Sequence, residues 1–458
     1  MDGIMKKIVI LITSMLLALS ASAQLRTAYF MDGSYFRTDM NPALVPTRGY
    51  VALPVISGTG VTMNTNFLSV DNFIYNRDGE TVLALDSRVS ESEFLDKLPE
   101  IGKLSLNTDF NILGIGFTSK GLFWNFGVKA RVNGELAMDK DLFRMLKQLG
   151  NQTYDVSHTS VDLTAFTEVY LGTCLSLTDW LRVGVRLKGL VGVANLSMSD
   201  TNTSVVVSSN EISGMVRSNL RANGIMINPN YAVGSKIDMD QLVDWSLVGQ
   251  NIKSGGFGID FGAEARLFKE RLRVSAAVTD LGFIKWSGAT LATAEHYSYF
   301  NYRGVDFDSG ETDMDSDSST IMTKSDGKGY TQRLNCTLNI GAEYNILNNH
   351  IAVGLLSHTE FRQTHAISEL TASVNFRLGS GFTTTLSHTF CGRNRPGIYG
   401  FALNAHPAGF NFFVGMDYID SKFAKINNIP VPKAAKSLNF YFGLGFNLGK
   451  APLKAIIN

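Results

Sequence analysis

Cysteine is scarce: Cys174, Cys336 and Cys391 are far apart, odd in number and form no CxxC pair. Neither a disulfide framework nor a thiolate metal site follows from that spacing. An excess of one charge is missing too, since 41 Lys+Arg stand against 41 Asp+Glu. There is therefore no electrostatic footprint for nucleic acid. The seven histidines include no HExxH, and the one local pair, His358 and His365, lacks metal-ligand spacing. No GxSxG nucleophile motif occurs, and no Ser-His-Asp or paired-carboxylate spacing can be assigned, so no enzyme is expected. The glycines at 443, 445 and 449 have the wrong last spacing for a dinucleotide loop and lie inside an alternating segment, so no cofactor is expected. The acidic run DFDSGETDMDSDSST at 306–320 has Ser318 and Lys324 where a calcium loop needs glycine and glutamate; it reads as a solvated outer loop.

Long apolar runs are absent after the first two dozen residues, which excludes a spanning helix of roughly twenty residues. What stands at the start is an address. Lys6 and Lys7 precede IVILITSMLLAL, and Ala21-Ser22-Ala23 supplies small residues where a signal peptidase cuts. Residues 1–23 read as a signal peptide, with Met5 as the true start and Gln24 as the new N-terminus. An exported chain is expected.

The dominant pattern is alternation. In SVDLTAFTEVYLGTCLSLTDWLRVGVRLKGLVG, residues 160–192, apolar side chains fall at every second position on both sides of Thr178-Asp179. That is the period of a strand, and each strand is longer than the five or six residues usual in soluble sheets. The same pattern recurs at Leu122–Val132, Phe257–Leu267, Leu338–Ile346 and Leu438–Leu448. Short turns such as Ser119-Lys120-Gly121, Lys269-Glu270 and Asn348-Asn349 interleave with long connections at about 69–103, 133–159, 198–255, 283–330 and 419–436. Helical periodicity is confined to short pieces, about 139–149 and 239–251.

A closed transmembrane antiparallel β-barrel accounts for all of this: every backbone group is paired between strands, and the apolar parity faces lipid. Segments from 59–68 to 437–448 number about fourteen, which predicts an all-β fold with the barrel over 51–449 and a C-terminal tail at 450–458. Closure requires 59–68 to pair with 437–448. A secreted multi-sandwich protein is the soluble alternative, but it calls for shorter strands and more even turns. Trp124, Trp180 and Trp286 lie near strand ends and are expected in the aromatic belts. The opposite parity lines the lumen with charges of both signs: Lys129, Arg131, Glu168, Arg182, Arg186, Asp260, Glu264, Arg273, Arg333 and Glu343. Mixed signs on neighbouring strands predict pairing across the lumen and not a channel selective for one sign.

Before the first clear strand lies AYFMDGSYFRTDMNPALVPTRGYVALPVISG, aromatic and without a period. DMNPALVP at 39–46, GYVALP at 49–54 and GIDFGAEARLFKERLRVSAAVTDLGFIKW at 258–286 resemble a family of uncharacterised Bacteroidetes outer-membrane proteins, the domain of unknown function family 5723. The Asn-Pro-Ala step at 41–43 also resembles the N-terminal hatch of FadL-like transporters of hydrophobic compounds and their PorV-like relatives in type IX secretion. The resemblance implies a fourteen-stranded outer-membrane barrel with residues 24–50 as a plug carrying Tyr35, Phe36, Asn41, Pro42, Ala43 and Leu44. Pro42 and Pro46 suit such a stiff segment outside a sheet. The implied function is passage of small, partly hydrophobic compounds, with outer-membrane lipid and a hydrophobic ligand as partners. The alternative is a non-transporting barrel that docks a surface or periplasmic protein, or serves secretion, through its outer loops.

Overall fold

The computed structural model describes residues 26–449 except 55–57, 148–151, 200–203, 209–210, 226–245, 247–252, 288–290, 293–295, 303–328, 364, 380, 391–397, 408, 420–422, 427–428 and 433–436. The expected signal peptide, the C-terminal tail, Cys391, the helix at 239–251 and the acidic run at 306–320 therefore lie outside the described residues.

Fourteen antiparallel strands close into a barrel. In chain order they are β1 (Gly49–Ala52 with Thr59–Thr65), β2 (Ile101–Ser119), β3 (Leu122–Asp139), β4 (Ser160–Ser176), β5 (Leu181–Ser199), β6 (Gly255–Leu267), β7 (Leu272–Trp286), β8 (Tyr330–Arg333 with Cys336–Ile346), β9 (Ile351–Phe361), β10 (Ala366–Arg377), β11 (Phe382–Phe390), β12 (Ile398–Ala405), β13 (Phe410–Ile419) and β14 (Ser437–Leu448). Each pairs with its successor, and the ring closes where β1 meets β14, Gly49 opposite Leu448 and Val61 opposite Phe440. The expected seam between first and last strands is thus present, and the first strand begins earlier than the alternation indicates.

Short turns gather at one end. In Lys120-Gly121 both φ values are positive, 50° and 79°, the two-residue geometry whose twist matches the flanking strands. The other end carries the long connections. Two of them, β1–β2 and β3–β4, fold together into a cap with its own core: Phe67, Phe94 and Phe143 are buried and pack with Phe73. Ser69 and Ser90 cap its two four- and five-residue helices by accepting from Asn72 N–H and Glu93 N–H. The helix expected at 139–149 is present as Lys140–Lys147.

Parity decides which side chains meet what. On β5, Arg186 and Lys188 are buried inside, whereas Leu187 is 46% exposed on the outer wall. Val169, Leu171, Phe261, Leu281, Leu355, Leu386, Phe401 and Phe446 are likewise exposed outward from other strands. An apolar girdle carried round the whole ring is far larger than soluble monomers expose, and a bilayer is the solvent that covers it. Val185, between Thr173 and Phe261 on the outer wall, provides the check: Val185→Arg should cost about 2–4 kcal/mol near the midplane. Urea unfolding in vesicles measures it, and a neutral result would mean that the wall does not face lipid.

The alternation fails in one place. Asp280 sits on β7 at φ 61°, and the β6–β7 register slips there between Ile259 and Phe261. Below the slip Arg273, Ser275 and Thr279 face inward; above it the buried residues are Ile284 and Trp286. A bulge adds one residue to one strand, so every later side chain changes face. Two expectations are corrected here, Trp286 by this bulge and Arg333 by the break in its own strand between Arg333 and Cys336. Trp286 is fully buried, its indole N–H donating to Gln332 Oε1 at 2.9 Å, and is no part of an aromatic belt, unlike Trp180, which is half exposed. Arg333 does not line the lumen either: it is exposed, opposite the outward Phe283, and donates to the carbonyls of Phe361 and Arg362.

Candidate functional site

Residues 26–48 run inside the ring of strands towards its short-turn end. The local chemistry of Asn41-Pro42-Ala43 sets the path. The helix Arg37–Met40 stops at Asn41, which is extended at φ −159° and ψ 112°, as a residue before proline prefers. Asn41 Oδ1 accepts from Ala43 N–H at 2.9 Å, an Asx turn. Its Nδ2 donates to Tyr29 Oη and to the backbone carbonyl of Ala263, both at 3.3 Å. The wall is cut away to admit this turn. A Cβ on Gly184 would lie 2.3 Å from the Pro42 carbonyl, and one on Gly262 would lie 2.0 Å from Asn41 Oδ1. Glycine is therefore required at both wall positions for close approach.

The remaining residues of the segment are held from nearly every direction. Ala43 is completely buried, and its carbonyl accepts from Cys174 Sγ. Tyr35 stacks on Tyr50 at 4.5 Å between centroids, and Phe36 lies 4.0 Å from Phe413. Leu44 is buried in the same apolar cluster. Asn339 donates to the Met40 carbonyl at 2.9 Å and Asn411 to the Gly33 carbonyl at 2.7 Å. Thr27 N–H donates to Asp417 at 3.0 Å, and Arg26 pairs with Glu369.

Two carboxylates anchor the segment. Asp32 is bound by Arg273 at 2.8 Å and Arg377 at 3.2 Å, with Arg37 of the segment itself as a third partner. Asp39 receives Lys129 at 2.6 Å and Arg186 at 2.7 Å. Burial alone would push the Asp39 carboxyl up, but these two cations outweigh it and hold it down to about 2. For Asp32 the three guanidiniums likewise overcome burial and keep it well below the usual carboxylate range.

Above the segment the strands carry a buried network. Asp280 accepts from both terminal guanidinium nitrogens of Arg131, at 2.7 and 3.0 Å, and from Lys188 at 2.6 Å. Lys188 also reaches Asp260 at 2.8 Å, and Arg131 reaches Glu168 at 3.1 Å. Asp260 Oδ1 accepts the Asp280 backbone N–H at 2.7 Å, which pins the bulge. At the short-turn end, level with the segment, Glu343 meets Arg377 at 2.6 Å, and Glu264 meets Arg266 at 2.9 Å with Arg182 at 3.9 Å. Beyond the Asp280 layer, at the opposite end, the mouth opens into a cavity of about 730 Å³, lined from β1 to β5 and by the β9–β10 connection.

Residues 42–417 match the model of a family described as a family of unknown function, DUF5723. The chain belongs to that family. No curated protein matches it. Among solved structures, this DUF5723 chain is similar to the toluene transporter TbuX of Ralstonia pickettii, at 8% identity and TM-score 0.43 over 91% of this chain and 95% of that one. It is also similar to the toluene transporter TodX of P. putida, at 10% identity and TM-score 0.38 over 91% and 95%. The monoaromatic hydrocarbon channel CymD matches at 8% identity and TM-score 0.38 over 94% and 95%.

In the DUF5723 chain the lumen brings together nine of the ten charges read from parity, Arg333 being the one left outside. Asp32, Asp39, Asp280, Glu369, Arg377 and Asp417 went unread. Of these, Asp280 had a signal: Thr279-Asp280-Leu281-Gly282 interrupts the apolar alternation of β7. Asp32 and Asp39 lie in a segment without a period, so nothing in their spacing points to partners on distant strands. His358 is buried and bonds Asn339 at 2.7 Å; among the described residues no His, Cys, Asp and Glu group is arranged for a metal.

Proposed function

We propose that this protein is an outer-membrane barrel through which small, partly apolar solutes pass, with residues 26–48 acting as a plug at the short-turn end. The observation that carries the reading is the manner in which the segment is held. Its anchors are ion pairs and hydrogen bonds to the wall, at Asp32, Asp39, Asn41 and Thr27, and it lies beneath a mouth cavity large enough for a small solute. Polar anchors of this kind exchange with water at modest net cost when a segment shifts. The apolar girdle supports the membrane part of the reading, and residues 1–23, read as a signal peptide, fit an export route.

The two wall glycines offer a test that leaves the plug sequence intact. Gly184→Leu or Gly262→Val places a side chain where Pro42 and Asn41 now sit. Either variant should still give a folded barrel, since the strands are unchanged, and should raise the flux of a small dye into proteoliposomes above that of the parent. Folded variants with unchanged flux would end the passage reading and leave a barrel that does not transport.

A further inference from the structure

Two irregularities of the wall deliver cations to one spot on its outer side. On β7 the buried, inward residues are odd-numbered from Arg273 to Thr279, so unbroken alternation would turn Lys285 into the lumen; the Asp280 bulge turns it out, and Lys285 is exposed. On β8 Thr337 and Asn339 face inward, and the same count would bring Arg333 in; the interruption at Leu334-Asn335 leaves it outside. Lys285 pairs directly with Thr331, and Arg333 with Phe283. The two cations are therefore diagonal neighbours on one face, about 7–8 Å apart. On the other side of Lys285 its partner is Gly255, which carries no side chain, and two residues earlier in the chain Lys253 is exposed as well.

Among the described residues no carboxylate pairs with Lys253, Lys285 or Arg333. The Arg333 guanidinium donates to two neutral carbonyls, of Phe361 at 3.2 Å and of Arg362, which fix its direction and leave its charge uncancelled. Like charges at adjoining ladder positions repel, so the cluster calls for an anion from outside the chain. Next to the cations the wall is aromatic: Phe257 and Phe283 are direct cross-strand partners, both exposed outward. The patch stands at the long-connection end of the girdle, where a barrel wall passes from hydrocarbon to headgroups. Cations over an apolar wall are complementary to an amphiphile with a phosphate head, and a guanidinium beside an ammonium suits phosphate oxygens.

We propose that this part of the wall is a binding site for a phosphorylated lipid of the leaflet at the long-connection end, its phosphate held by Lys285 and Arg333 with Lys253 beside them and its acyl chains along Phe257 and Phe283. The site needs the wall to face lipid and does not need any solute to pass, so it stands apart from the passage reading.

The test is native mass spectrometry of the full-length barrel in neutral detergent, with dioleoylphosphatidic acid, dioleoylphosphatidylcholine and inorganic phosphate as probes. Phosphatidic acid should be retained at least about tenfold more strongly than phosphatidylcholine, and less strongly as salt is raised. Inorganic phosphate in equal amount should not displace it. Lys285→Gln and Arg333→Gln should each weaken retention about fivefold. Thr331→Lys, directly opposite Lys285, should strengthen it, a gain that no folding defect can imitate. Equal retention of the two lipids, displacement by phosphate, or indifference to all three substitutions would overturn the site. Equal retention beside a costly Val185→Arg would sink the site and leave the membrane placement standing.

Discussion

A barrel lacking residues 26–48 will insert into liposomes and pass small dyes that the full-length chain holds back. The wall supplies its own ladder from Gly49 onward, so the deletion removes no strand and no closing hydrogen bond. What it removes is the filling at the short-turn end: Tyr29, Phe30, Met31, Tyr35 and Leu44 are all buried against the wall. Lys129, Arg186, Arg273 and Arg377 lose their carboxylate partners Asp39 and Asp32, but water entering the lumen solvates them, so the penalty of a dry unpaired charge does not arise. Dye entry into vesicles, set beside heat-modifiable migration as the check of folding, reads the outcome. Permeability equal to that of the intact barrel would show that residues 26–48 do not close the lumen.

Asp280→Ala should destabilise the barrel by about 3–5 kcal/mol, the cost of taking one partner out of a buried ion-pair network. The substitution removes at once the carboxylate shared by Arg131 and Lys188, in a layer where the Lys188 and Asp280 side chains are only 4% and 6% exposed. Alanine is also strained at φ 61°, where a short polar residue is tolerated better. Asp280→Asn separates the two effects, because it keeps the left-handed tolerance and loses the charge; its cost should fall between parent and alanine. Urea midpoints in detergent or vesicles give the comparison. An alanine cost below about 1 kcal/mol would place the network in water, where ion pairs contribute little.

How much of this was legible in the residues depends on which rule each element obeys. Strands with two-sided environments print their period directly: β4 and β5 could be read to within a few residues because lipid on one face and polar neighbours on the other demand strict alternation. Arg186, Lys188 and Glu168 inherit their inward placement from the same rule. The rule carries no count past an interruption, and so Trp286 was assigned to the wrong face once Asp280 had shifted the count, and Arg333 likewise because Leu334-Asn335 separates it from the rest of β8. The cap escaped for a different reason. Its helices Val70–Phe73 and Glu91–Leu95 are four and five residues long, too short to show a 3.6-residue period, and their capping serines and buried phenylalanines look like ordinary loop chemistry until they are brought together. The N-terminal segment could be recognised as irregular, yet its partners lie up to 391 residues away, as between Arg26 and Asp417, and no local pattern encodes such distances.

The direct passage from residues 26–48 into β1 bears on how the molecule is made. Gly49, the first wall residue, faces Leu448, the last residue of β14, so the final joint of the ring is formed by the very stretch of chain that issues from the lumen. Neighbouring hairpins from β2 to β14 can zip locally in succession, but this joint must wait for both ends of the polypeptide. The interior is therefore occupied at the moment the circle is completed, and threading a segment into an already sealed cylinder never arises. On the plug reading proposed above, insertion machinery handling this chain would release a product already closed when it enters the membrane, sparing the cell a transient leak during biogenesis.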